Sequence, residues 1–373
     1  MGWKISDKPT VDPKDTDLVL IEQDGNTRNT TWAKLKALFL GTATLATTDQ
    51  TIKGAINEVK ASTDANATSL SEKAKQTDLA QLSNPNLLIN GDFQVWQRGT
   101  SFNQTVTGSL YCADRWQFVK GGNVANFSVN KVAGGVKVTN TSSDGVAMYM
   151  EQTIEVPESL QGKKITLSYE GDLVISKVYF NSTVRSGIGG QDLGSSDVNS
   201  STKTITTTIP VGTKALTVIL SSTKNEFTIN RVKLELGSIV TPFIPRLTSE
   251  EKALCERYYK RITSASSSDV PLGSGIFSVN NTLFGLFKTS VPMRITPTLS
   301  YSNIGSLEAW GWVGTGMLHS PLTNLYLYAA DADNTNISFS ANTTSTSFTV
   351  GYTANLQITR NTNGWAALDA EIY

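Results

Sequence analysis

Residues 204–229 read TITTTIPVGTKALTVILSSTKNEFTI, and this stretch decides the fold class. Three short apolar alternations, at 204–209, 215–220 and 227–229, are separated by Pro210, Gly212 and Asn225. A period of two in β-branched residues is the signature of strands with one face turned inward, and the Pro, Gly and Asn between them predict tight antiparallel connections. The pattern spreads in both directions. Upstream it recurs at 127–129, 136–138, 165–169 and 177–180, and downstream of Pro242 and Pro245 at 277–279, 283–287, 299–301, 325–328, 337–339, 348–350 and 367–373. The expectation is a mainly β chain with two antiparallel sandwich domains, residues 85–247 and 263–373, and a last strand running to Tyr373.

Helical patterns occupy three places. Residues 248–262 form a connector. Thr248 stands three residues before Glu251, the spacing of a capping box, and Leu254, Cys255, Tyr258 and Tyr259 share a face. Residues 1–44 read as a small unit: a strand at 18–22 turning at Asp24-Gly25, then a short helix capped by Thr31. This unit is too small to bury much core and is expected to attach to something larger. Residues 45–84 carry the only long helical stretch. Ile52, Ile56, Val59, Thr63, Asn66, Leu70, Lys73, Thr77 and Ala80 repeat with alternating spacings of four and three. That is a heptad seam, weak and polar, which predicts a trimeric coiled-coil stalk with Asn66 specifying register. The alternative is an amphipathic helix packed on its own domain.

Only 17% of residues are charged and the formal net charge is zero, which argues against a nucleic-acid partner and against disorder by charge repulsion. Cys112 and Cys255 are too few for a disulfide framework and are expected to be buried free thiols. No leader pattern is visible and no apolar run approaches the roughly 20 residues of a membrane span, so neither secretion by a signal nor membrane insertion is expected.

Several segments, taken in order, resemble a widespread family of phage tail-fibre and receptor-binding proteins. They are 86–99 (NLLINGDFQVWQRG), 111–116 (YCADRW), 232–238 (VKLELGS), 241–243 (TPF), 250–259 (EEKALCERYY), 291–298 (VPMRITPT) and 368–372 (LDAEI). The resemblance implies a jelly-roll of the carbohydrate-binding-module type in the first β-domain and a small distal β-domain after it. It also implies a homotrimer in the virion, held to a baseplate or tail tip through its N-terminus and bound to a bacterial surface glycan or protein. A ligand-free connector and a glycan-degrading tailspike are the rival readings. No cofactor is expected. Asp92 and Glu235, near the first and last strands of the jelly-roll, are calcium candidates by the same resemblance, with Asp92 as a turn residue after Asn90-Gly91 the alternative.

The candidate ligand-binding residues are Trp310, Trp312, Tyr326, Tyr328 and Trp365. Sugar C–H faces stack on such rings, and 310/312 and 326/328 each share a side of an extended strand. Core packing is the alternative for each, and Trp96 and Trp116 are expected in the core. The lone His319, in GTGMLHSP, reads as a loop residue without a nucleophile elbow, and too few Cys or His are present for zinc. Asp114, Glu151, Glu170, Asp172, Glu308, Asp331 and Asp333 are the acids from which a glycosidase pair would be drawn, and no enzyme is expected.

Overall fold

The computed structural model describes residues 12, 14–23, 25–40, 48, 52–73, 84–105, 108–120, 126–141, 147–172, 174–185, 192–197 and 203–373. They fall into two units, Met1–Leu79 and Ala80–Tyr373.

In the first unit Leu18–Gln23 (β1) and Asn26–Thr31 (β2) form a hairpin with Leu18 opposite Thr31. Helix α1 (Trp32–Leu40) follows directly, and the Lys34 amide donates to Thr31 Oγ1 at 3.3 Å, the capping bond the sequence predicts. Helix α2 covers Ile52–Lys73. Along it Ile56, Val59 and Leu70 are 62%, 58% and 68% exposed, and Thr63 and Asn66 are exposed beside them. The backbone of Ile52 is helical. Its side chain, together with Thr77 and Ala80 of the seam, lies outside the described residues. The described apolar residues of the seam, Ile56, Val59 and Leu70, therefore face solvent in the single chain.

In the second unit the first β-domain is two stacked sheets. Its strands are Ser101–Gln104 (β3), Ser109–Tyr111 (β4), Gln117–Lys120 (β5), Phe127–Val132 (β6), Gly135–Asn140 (β7), Met148–Glu155 (β8), Lys164–Gly171 (β9), Ile175–Asn181 (β10), Ser195–Asp197 (β11), Thr204–Thr208 (β12), Ala215–Ser222 (β13) and Glu226–Leu236 (β14). One sheet has the order β11-β10-β13-β8-β5-β4 and the other β12-β9-β14-β7-β6-β3. Alternate residues of both sheets meet in one core that includes Trp116, Phe118, Met150, Ile165, Val218 and Phe227. Every residue of β13 is buried, which is why this strand reads as nearly continuous apolar and hydroxyl sequence. Trp116 lies in the core and Trp96 packs against it. Cys112 and Cys255 are buried free thiols, and burial pushes the pKa of both up.

Helix α3 (Thr248–Glu256) forms without the capping box expected of it. Thr248 Oγ1 donates to Gln94 at 2.7 Å. Glu251 turns inward, where it accepts from Arg246 at 3.0 Å and from the Asn90 amide. A buried carboxylate gains more from an arginine and an amide than from a solvent-exposed cap.

The C-terminal domain is a closed barrel where two open sheets were expected. Tyr259–Thr263 (β15) leads into Val270–Val279 (β16), Thr282–Lys288 (β17), Thr298–Tyr301 (β18), Leu307–Val313 (β19), Gly316–Ala330 (β20), Asn336–Thr343 (β21), Thr353–Ile358 (β22) and Trp365–Asp369 (β23). The barrel order is β16-β17-β21-β20-β19-β22, and β15-β23-β18 make a separate small sheet. Strand β20 pairs first with β19 and then with β21, bending at two register shifts on the way. The last strand stops at Asp369, short of the expected Tyr373. Beyond it the Ala370 amide donates to Tyr258 O at 2.7 Å, and Tyr111 Oη donates to Ile372 O at 2.5 Å. The Arg115 guanidinium pairs with Glu371 in a fully buried contact and lies over the Tyr258 ring. Arg98 lies 3.4 Å from Glu371 and stacks on Tyr259. Two arginines of the first β-domain thus hold Glu371, and the two β-domains belong to one unit.

Candidate functional site

The outer wall of the barrel carries the candidate site. Inward residues of each strand, such as Leu307, Ala309, Leu356 and Phe339, fill the barrel core, so their neighbours point outward. On β19 these are Glu308, Trp310 and Trp312. The register places Trp310 between His319 of β20 and Asn355 of β22, Asn355 opposite Ser274 of β16, and Trp312 opposite Met317. A groove of about 460 Å³ runs across these strands, with Trp310, Trp312, Ile276, Met317, Thr353 and Asn355 among its lining residues. Trp312 is 40% exposed and Trp310 half-buried, and both indoles line the groove, as their spacing predicts. Its chemistry is two aromatic faces, aliphatic flanks and neutral hydroxyl and amide groups.

At one end of β19 stands a charged cluster. His319 Nδ1 lies 2.9 Å from Glu308 Oε1, and Gln357 Nε2 donates to the same oxygen at 2.6 Å. Asp269, just before β16, completes the group, its ligand atom within 4.8 Å of the others. The His319 ring centre is 5.7 Å from that of Trp310. His319 sits on a strand and not in the expected loop. The hairpin turn falls at Gly314-Thr315, with Gly314 at φ +57°, and the sequence after it pairs with β19. The neighbouring Ser320 points into the barrel, bonded to Thr344 at 2.9 Å, and does not face the imidazole.

Tyr326 and Tyr328 are each 59% exposed on the second half of β20, away from the groove. The strands connect the two places: Tyr326 pairs with Ser340, Ser340 with Phe284, Phe284 with Ile276 and Ile276 with Thr353. Phe284 and Leu286 are exposed between them, and Tyr328 meets Phe284 edge-on at 6.1 Å. The apolar wall thus continues around the barrel. Trp365 is not part of it. It lies on β23 in the small sheet, with Arg261 stacked on its ring at 4.4 Å. Sequence reasoning missed Ile276, Phe284, Thr353 and Asn355. The visible signal is LFGLF at 283–287, apolar at both parities and therefore apolar on both faces.

The remaining acids are placed singly. Asp114 is buried against Arg98 and Gln97, Glu170 faces Arg231 at 3.5 Å, and Asp172 accepts from the Thr228 amide. Asp331 organises a turn with Thr335 and Asn336, and these bonds lower its pKa to about 2; Asp333 is exposed. Of the calcium candidates, Glu235 is engaged by Lys233 and Thr241, while Asp92 accepts from Gln94 and its Oδ1 is buried without a partner. Among the described residues the one group of three possible ligands is Asp269, Glu308 and His319.

No family model matches the chain, and no curated protein matches it. Among solved structures, the enzymatically active domain of bacteriophage CBA120 tailspike protein 4 overlaps it with 13% identity and a TM-score of 0.25. That overlap covers 41% of this chain and 21% of the tailspike domain. The N-terminal CBM22-1-CBM22-2 tandem domain from Paenibacillus barcinonensis Xyn10C overlaps with 9% identity and a TM-score of 0.21, over 75% of this chain and 99% of the tandem.

Proposed function

We propose that this chain is a homotrimeric attachment protein of a phage or phage-like tail, and that it binds a bacterial surface glycan through the outer wall of its C-terminal barrel. The observation that carries the reading is the Trp310–Trp312 groove. Two indoles are presented outward on a barrel whose interior is already filled, so core packing does not account for their position. Apolar sugar faces stack on such rings, and Asn355, Thr353 and Ser274 supply the hydrogen bonds that hydroxyls require. The sequence resemblance to tail-fibre proteins supports the same role. In this reading residues 1–44 fasten the protein to a baseplate or tail tip, residues 45–84 form the trimeric stalk, and the protein acts in the virion without catalysis.

The test is binding of fluorescently labelled protein to a panel of bacterial strains and to their purified surface polysaccharides. Saturable binding to a narrow set of strains is expected, weakened about tenfold or more by Trp312→Ala and by Trp310→Ala. A folded trimer that binds no strain would make the chain a connector. Shortening of the polysaccharide on incubation would make it an enzyme.

A further inference from the structure

We propose that Asp269, Glu308 and His319 form a binding site for a divalent transition-metal ion of the zinc class at the end of the barrel groove. Three elements bring them together: the segment entering β16, strand β19 and strand β20. The His319 Nδ1 to Glu308 Oε1 separation is 2.9 Å. Two ligands about 2.1 Å from a tetrahedral ion lie about 3.4 Å apart, so this hydrogen-bonded pair must open by about 0.5 Å to share a metal. Two carboxylates converge here, and among the described residues neither makes an ion pair with a lysine or arginine; His319 pairs with Glu308. Converging carboxylates repel unless a cation lies between them.

Neutral donors hold both carboxylates in place. Gln357, itself buried, fixes Glu308 through Oε1, and the Arg360 amide fixes Asp269 through Oδ1 at 2.9 Å. Such neutral donors orient ligand oxygens without competing for their charge. One imidazole with two carboxylates suits zinc, manganese or cobalt and is a poor set for calcium, which prefers oxygen alone. The His319 side chain is 49% exposed, so an ion held by these three groups keeps its remaining positions open to solvent beside Trp310. The site stands whether or not the barrel is the attachment surface.

The experiment is calorimetric titration of tag-free, metal-free full-length protein with zinc chloride, repeated with calcium chloride. A parallel cobalt titration is read by tryptophan fluorescence. The expected result is one zinc ion per chain and little heat with calcium. Zinc affinity should fall at least tenfold in His319→Ala and in Asp269→Asn, each checked for an unchanged circular-dichroism spectrum. Cobalt should quench wild-type fluorescence and quench Trp310→Phe measurably less. No zinc heat in the wild type overturns the proposal, as does binding that survives both ligand substitutions.

Discussion

Glu151 stands on β8 between Gln117 and Ile219 in the sheet register. It is 1% exposed, and neither carboxylate oxygen has a hydrogen-bond partner among the described residues. Burial alone raises its pKa from 4.5 to about 7. The fold therefore favours the neutral acid. The carboxyl is harmless to stability below about pH 4.5, destabilises progressively as pH rises towards 7, and above that costs about 3 kcal/mol. Glu151→Gln removes the charge and keeps the shape. Its melting temperature should exceed that of the wild type by several degrees at pH 8, and the gap should close by pH 5. An equal gap at both pH values would mean that the carboxyl is not desolvated as the structure places it. In the sequence Glu151 is one acid among seven candidates for chemistry. Strand alternation predicts which face a residue takes but not whether that face is covered, and here both faces of the neighbouring β13 are.

At the level of elements, the strands of the sandwich were legible because one face is buried and the other polar, as at 127–132 and 204–208. The barrel was harder to foresee. Closure depends on β22 pairing with both β16 and β19, contacts between segments far apart in the chain. The hairpin at Gly314 and the run through Pro321 read as loop, although Pro321 sits within β20 opposite Glu308. The site was half legible for the same reason. Trp310 and Trp312 follow from the period of one strand, while Asn355 and Ile276 reach them only through closure. Elsewhere in the barrel, glycine lets β16 and β17 approach closely. A Cβ on Gly285 would lie 2.3 Å from the Ser274 carbonyl oxygen and 2.6 Å from the Phe339 ring. One obstacle is paired backbone and the other a fully buried ring, so neither yields cheaply. Gly285→Val should destabilise the protein by about 3 kcal/mol or more in urea unfolding followed by tryptophan fluorescence. A variant with the wild-type midpoint would show that β16 and β17 do not approach this closely.

For the whole molecule the deciding quantity is its mass in solution. An isolated helix with the weak seam of α2 would be marginal in water, yet Ile56, Val59 and Leu70 all face solvent in the single chain. The seam repeats every seven residues, as Ile56–Thr63–Leu70 and as Val59–Asn66, so copies of the same helix are the partners that fit. Sedimentation equilibrium at micromolar concentration should give three times the 40.2 kDa chain mass. Ile56→Lys with Val59→Lys should give the single chain mass, with the β-sheet circular-dichroism signal retained. This variant also separates avidity from affinity. Each barrel would still bind a free oligosaccharide as the wild type does, because the groove lies wholly on β16, β19, β20 and β22. Binding to cells would fall by about two orders of magnitude or more, since three linked sites raise effective concentration and one does not. A monomeric wild-type protein would remove the stalk from the proposal. A monomeric variant that bound cells as tightly as the trimer would show that a single barrel suffices.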